Sequence, residues 1–136
     1  FMRKIFALLC ITVLCFSFFA CSKSLNSIDA SRVEKVVLRN HDGEYELTEE
    51  ESKRLIELYN ASYYEGEATG GGGTPDFGVS IYFNDQIQFQ VNEFAGGAAN
   101  GSVFEVFWIG IPFGSAFYVK NDEMYSFIKE LIDLYI

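Results

Sequence analysis

His41 is the only histidine in the chain, and it stands in the run Asn40-His41-Asp42-Gly43. An imidazole beside a carboxylate is the pairing that general base catalysis uses. Neighbours in sequence are not thereby oriented toward a common proton, however, so the run reads as a solvated turn. The 19 acidic residues offer other chemistry. Asp76, Glu93 and Glu105 are unranked candidates for a carboxylate pair of the kind that hydrolyses glycosidic bonds, since no spacing singles two of them out. Glu49, Glu50 and Glu51 suit the start of a helix, where the dipole favours negative charge, better than a metal site. Zinc would need more His or Cys than the chain contains, and no EF-hand spacing is present for calcium, so no metal or other cofactor is expected. The stretch "TGGGGTP" lacks the Gly-Lys-Ser/Thr ending of a phosphate loop and leads into a strand, which makes it a flexible loop or hinge. No serine lies in a nucleophile-elbow setting.

The three cysteines, Cys10, Cys15 and Cys21, carry more information. Arg3 and Lys4 precede an uninterrupted apolar run from Ile5 to Ala20. That run is shorter than the roughly 20 residues a permanent bilayer-spanning helix needs. A basic start, an apolar centre and a small residue at the end describe a secretory signal, with an ordinary membrane anchor as the alternative. The tetrad "FFAC" resembles the lipobox of bacterial lipoproteins, with Ala20 and Cys21 matching and Phe18 standing where an aliphatic residue is usual. The resemblance covers residues 2–21 only. It implies removal of residues 1–20 as a signal peptide and acylation of Cys21, which becomes the new N-terminus. Two or more acyl chains anchor stably where a single one does not. The expected location is therefore the cell membrane or outer membrane, with the domain on the exported side. Cys10 and Cys15 would leave with the leader, so no internal disulfide is expected and packing must supply the stability.

A chain of 136 residues that is 49% hydrophobic and 17% aromatic can form one domain with a real core. Removing everything before Cys21 takes away Arg3 and Lys4 and no acid, leaving 8 basic against 19 acidic residues and a net charge of −11. Such a body is repelled by phosphate backbones, so nucleic acid is not an expected partner. Residues 21–31 are mostly small and polar, with Leu25 and Ile28 the apolar exceptions, and read as a tether reaching at most about 35 Å.

The elements of the domain, residues 32–136, follow from periodicity. "VEKVVLRNHDGEYELT" reads as two strands around a turn at Asn40 to Gly43. Thr48 and Glu51 stand in the capping-box relation, and Leu55, Ile56, Leu58 and Tyr59 form one side of the helix they start. Phe77, Val79, Ile81 and Phe83 alternate, as do Ile87, Phe89 and Val91. A two-residue turn would put these two sets on opposite faces, so a three-residue turn at Asn84 to Gln86 is expected. Ser80, Tyr82, Gln88, Gln90 and Asn92 occupy the polar face of that hairpin. In "VFEVFWIG" both faces are apolar, which requires a central covered strand or an exposed aromatic patch. Asn121 caps a final helix bearing Met124, Phe127, Ile128, Leu131, Ile132 and Tyr135. Tyr45, Thr48, Leu55 and Leu58 recur 73 positions later as Tyr118, Asn121, Ile128 and Leu131. The fold expected is α+β: one antiparallel sheet of about six strands with two helices on one face, in the order ββα-ββ-ββα.

The function expected is a non-catalytic binding or interaction module of the cell envelope, its partner a protein or an envelope polymer. The candidate surface comprises Trp108, Ile111, Pro112 and Phe113, since an apolar Ile-Pro-Phe at a hairpin tip breaks the polar habit of turns. The competing expectation is that Ile111 and Phe113 fold back to close the core. Alternative functions are an envelope-polymer hydrolase and an inhibitor or immunity partner of an exported enzyme.

Overall fold

Alternation of large apolar residues builds the sheet. The computed structural model describes residues 25, 27–69, 74–85, 88–94, 102–109 and 116–136. Among the described residues there are seven strands: β1 (Val33–Asn40), β2 (Glu44–Glu46), β3 (Tyr63–Glu67), β4 (Phe77–Phe83), β5 (Gln88–Glu93), β6 (Val103–Ile109) and β7 (Phe117–Lys120). Helix α1 (Glu49–Asn60) follows β2, and α2 (Asp122–Tyr135) follows β7. All strands form one antiparallel sheet in the order β2-β1-β4-β5-β6-β7-β3. The class is α+β as the pattern indicates, with one strand more than the six expected. The additional strand is β3, "YYEGE", which pairs only with β7 at the far edge of the sheet. Chain order is thus ββα-β-ββ-ββα, and α1 carries the chain from one edge of the sheet to the other.

The register of the central hairpin, Val79↔Val91 and Ile81↔Phe89, is the one a three-residue connection demands. Val36 and Leu38 of β1, Val79 and Ile81 of β4, Phe89 and Val91 of β5, Phe104 and Val106 of β6 and Val119 of β7 bury completely on one face. Leu55, Ile56, Leu58 and Tyr59 of α1 and Met124, Ile128, Leu131 and Ile132 of α2 complete that core. Tyr59 meets Phe89 edge-on at 5.2 Å. Burying each such side chain contributes about 1.5–3 kcal/mol.

Both helices start as their sequences dictate. Thr48 Oγ1 accepts from the Glu51 N–H while the Glu51 carboxylate accepts from the Thr48 N–H, closing the capping box. The Tyr45 hydroxyl also donates to Glu51, at 2.9 Å. Burial pushes the Glu51 carboxyl up, but the bonds donated by Thr48 and Tyr45 outweigh it and hold it below its ordinary value. Asn121 Oδ1 accepts from the Met124 N–H at the start of α2. Asn121 Nδ2 also donates to the Leu58 carbonyl at 2.7 Å, tying the start of one helix to the last turn of the other. The Arg54–Glu123 ion pair, 2.7 Å, joins the two helices on the outside. Tyr45 and Tyr135 stack at 4.1 Å, joining β2 to the last residue of α2.

The two apolar positions in the expected tether are not idle. Ile28 is buried, its N–H bonded to Asn60 Oδ1 and its carbonyl accepting from Asn60 Nδ2, and Leu25 packs against the same core. The repeat between Tyr45–Leu58 and Tyr118–Leu131 extends to the caps and the buried helix positions. It does not extend to the sheet, since β2 is an edge strand and β7 lies between β6 and β3.

Candidate functional site

Successive residues of a strand point to opposite faces, so the face opposite the helices follows from the core list. Three rows cross it: Lys35, Tyr82, Gln88 and Ile109; Val37, Ser80, Gln90 and Phe107; and Arg39, Gly78, Asn92, Glu105 and Tyr118. Among the described residues no helix packs on this face.

Its centre is polar and tightly bonded. Arg39 Nη2 donates to Ser80 Oγ and, at 3.4 Å, to the Tyr82 hydroxyl. Ser80 Oγ also accepts from Gln90 Nε2 at 2.7 Å. Ser80 is fully buried and Gln90 nearly so. The Lys35 ammonium lies 4.9 Å from the centroid of the Tyr82 ring. Arg32 pairs with Asp85, and Arg54 with Glu57 and Glu123. Arg39 is the one described arginine with no carboxylate partner, although Glu44 stands directly across the ladder from it. Its Nε is buried without any hydrogen-bond partner. Gly78 lies beneath Asn92, and a Cβ there would overlap Asn92 Oδ1.

Beside this polar centre the face turns apolar along β6, with Phe107 half-buried and Ile109 45% exposed. Of the two alternatives for "VFEVFWIG", the second holds: β6 lies inside the sheet between β5 and β7, but only one of its faces is covered, and the other keeps apolar surface in reach of solvent. Trp108 points to the helix side instead, where it packs on Phe83 at 5.4 Å and Phe89 at 4.5 Å while staying partly exposed. Trp108 and Phe107 thus belong to opposite faces. Ile111, Pro112, Phe113 and Cys21 lie outside the described residues, as does the glycine run 70–73.

The candidate carboxylates do not converge. Glu93 pairs across the ladder with the core-facing Phe104, whereas Glu105 pairs with Asn92 on the opposite face. The sheet itself separates the two. Glu93 Oε2 accepts from the Asp76 backbone N–H at 2.9 Å, and the Asp76 carboxylate lies 3.6 Å from His41 Nε2 with both side chains largely exposed. This His-Asp contact joins the β1–β2 turn to the start of β4, and it differs from the sequence neighbours His41 and Asp42. A cavity of about 520 Å³ opens between the first half of β1 and the start of α1, where β2 has ended. Glu34, Lys35, Glu46, Glu49 and Lys53 rim it with mixed charge, and Val33, Leu47 and Ile56 form its apolar lining.

Arg39 is the residue that sequence reasoning missed. Alternation from Val36 and Leu38 places it off the core face, and that was the only local signal. Its bonds to Ser80 and Tyr82 span 41 and 43 positions. No family model matches the chain, and neither a curated protein nor a solved structure matches it.

Proposed function

We propose that this chain is an exported lipoprotein, held to a membrane through Cys21, whose domain is a non-catalytic binding module working through the sheet face opposite the helices. The observation that carries the binding reading is the composition of that face. It combines a guanidinium without a counter-ion, bonded hydroxyls and amides, and the accessible apolar edge of Phe107 and Ile109. An aromatic and an aliphatic side chain beside polar groups of fixed orientation are what a binding surface requires. The lipobox resemblance at Ala20-Cys21 supports the anchor.

Two experiments separate the parts of this reading. Cys21→Ser should abolish incorporation of a fatty-acid probe and release the protein from the membrane fraction; unchanged labelling refutes the anchor. Phe107→Ser with Ile109→Ser should reduce retention of envelope components on the immobilised protein while the fold persists. Retention equal to that of the unmodified protein refutes the face.

A further inference from the structure

We propose that the bonds between Ile28 and Asn60 hold the domain against the membrane that carries the anchor, with the end of α1 and Tyr63 of β3 turned to the lipid. This rests on Cys21 as the anchor and identifies the surface that the bilayer meets. A tether running to residue 31 would let the domain swing as far as about 35 Å from the membrane. The fold takes most of that length away. The Ile28 N–H donates to Asn60 Oδ1 at 2.7 Å, and the Ile28 carbonyl accepts from Asn60 Nδ2 at 3.0 Å. One side-chain amide thus fixes the backbone as a neighbouring strand would. Ile28 is buried, and Leu25 packs on the core. Cys21 is four residues from Leu25, which leaves a reach of at most about 14 Å. That is less than the width of the domain, since a chain of this size has a radius of gyration of about 13 Å.

The place of the clamp sets which surface is brought down. Asn60 is the last residue of α1, and Tyr63 opens β3 three residues later. Tyr63 is 75% exposed, the most exposed of the large apolar or aromatic side chains among the described residues. An apolar ring with a polar tip suits the headgroup layer of a bilayer. Asp122 and Glu123 share a shallow hollow with Tyr63 and Lys120. Their charge disfavours anionic headgroups, so the match is to neutral ones. β2 is at the opposite edge of the seven-stranded sheet from β3. Six strand spacings separate the two edges, roughly 29 Å, so they must differ in their distance from the lipid.

The test uses the full chain, processed and acylated, with acylation read from its mass. It is placed in phosphatidylcholine vesicles containing a lipid with a nitroxide on its headgroup. With Cys21 acylated, a single introduced cysteine takes a fluorescent label: Ala61→Cys near Tyr63, or Glu44→Cys on β2, both at exposed positions. Quenching at residue 61 should exceed that at residue 44 by about twofold or more, given the separation of the edges. A glycine-serine insertion between Ser22 and Lys23 lengthens the tether without touching the fold, and should bring the two values together. Asn60→Ala should do the same by releasing residues 25–28. Tyr63→Ser should lower the quenching at residue 61. Equal quenching at the two positions, a contrast that survives the insertion, or no loss in Tyr63→Ser overturns the proposal. Those results on acylated protein leave the anchor standing, whereas protein that carries no acyl chain refutes the anchor and this orientation with it.

Discussion

Asn, Asp and Ser are nearly equivalent as ordinary helix N-caps, and Asn121 should break that equivalence. Its Oδ1 makes the cap bond to the Met124 N–H, and its Nδ2 donates to the Leu58 carbonyl at 2.7 Å and to Ser62 Oγ at 3.1 Å. Asn121→Ser keeps the cap and loses two donor bonds, each contributing about 0.5–1.5 kcal/mol. The expected cost is about 1–2 kcal/mol. Asn121→Asp gains about 0.3–1 kcal/mol from negative charge at the helix start, but sets an oxygen against the Leu58 carbonyl. It should therefore still lie about 1 kcal/mol or more below the unmodified protein. Asn121→Ala loses cap and bridge together, about 2–3 kcal/mol. For a domain of this size 1 kcal/mol corresponds to about 4–8 °C in Tm. Thermal and urea unfolding followed by circular dichroism measure the series. Acid gives a further check, because protonating the introduced carboxyl restores a donor and should narrow the gap between Asn121→Asp and the parent. If Asn121→Asp and Asn121→Ser unfold with the parent, the bridge between the helices contributes nothing and the reasoning fails.

Phe89, wedged between Tyr59 and Trp108, should cost about 3–5 kcal/mol when cut to alanine, while Gln88→Ala on the other face should stay within about 0.5 kcal/mol in the same unfolding assay. Gly78→Ala should destabilise by about 1–3 kcal/mol, because the new Cβ overlaps Asn92 Oδ1. Asn92→Ser should recover much of that loss, and strict additivity of the two changes would refute the contact. The Glu51 carboxyl is held below its ordinary value in the fold, so its contribution is present above the unfolded pKa and disappears as pH falls through the folded one. Unfolding free energies of the parent and of Glu51→Gln should accordingly differ near neutrality and converge in acid. A gap independent of pH would show that the carboxylate is not the stabilising species.

Local periodicity carries some of this architecture and is blind to the rest. The alternation of Phe77, Val79, Ile81 and Phe83 with Phe89 and Val91 sets the register of the central hairpin, because a slip by one residue would turn every one of those side chains to the wrong face. Thr48 with Glu51, and Asn121 as an acceptor, are equally local, since each satisfies an N–H within three residues. Strand β3 is another matter. "YYEGE" lies on an edge with Tyr63 75% exposed and a bulge beside Gly66, so no face is buried enough to impose a pattern, and its partners on β7 lie about fifty residues or more along the chain. Ile28 belongs to the core only because Asn60, at the far end of α1, comes round to bond it. Trp108 and Phe107 are equally apolar in sequence, and only the placement of both helices on one side decides which packs inward. Arg39 likewise becomes a candidate site through partners on β4 that folding alone brings within reach, because a hydrogen bond depends on distance in space and a sequence period records only the direction of a side chain.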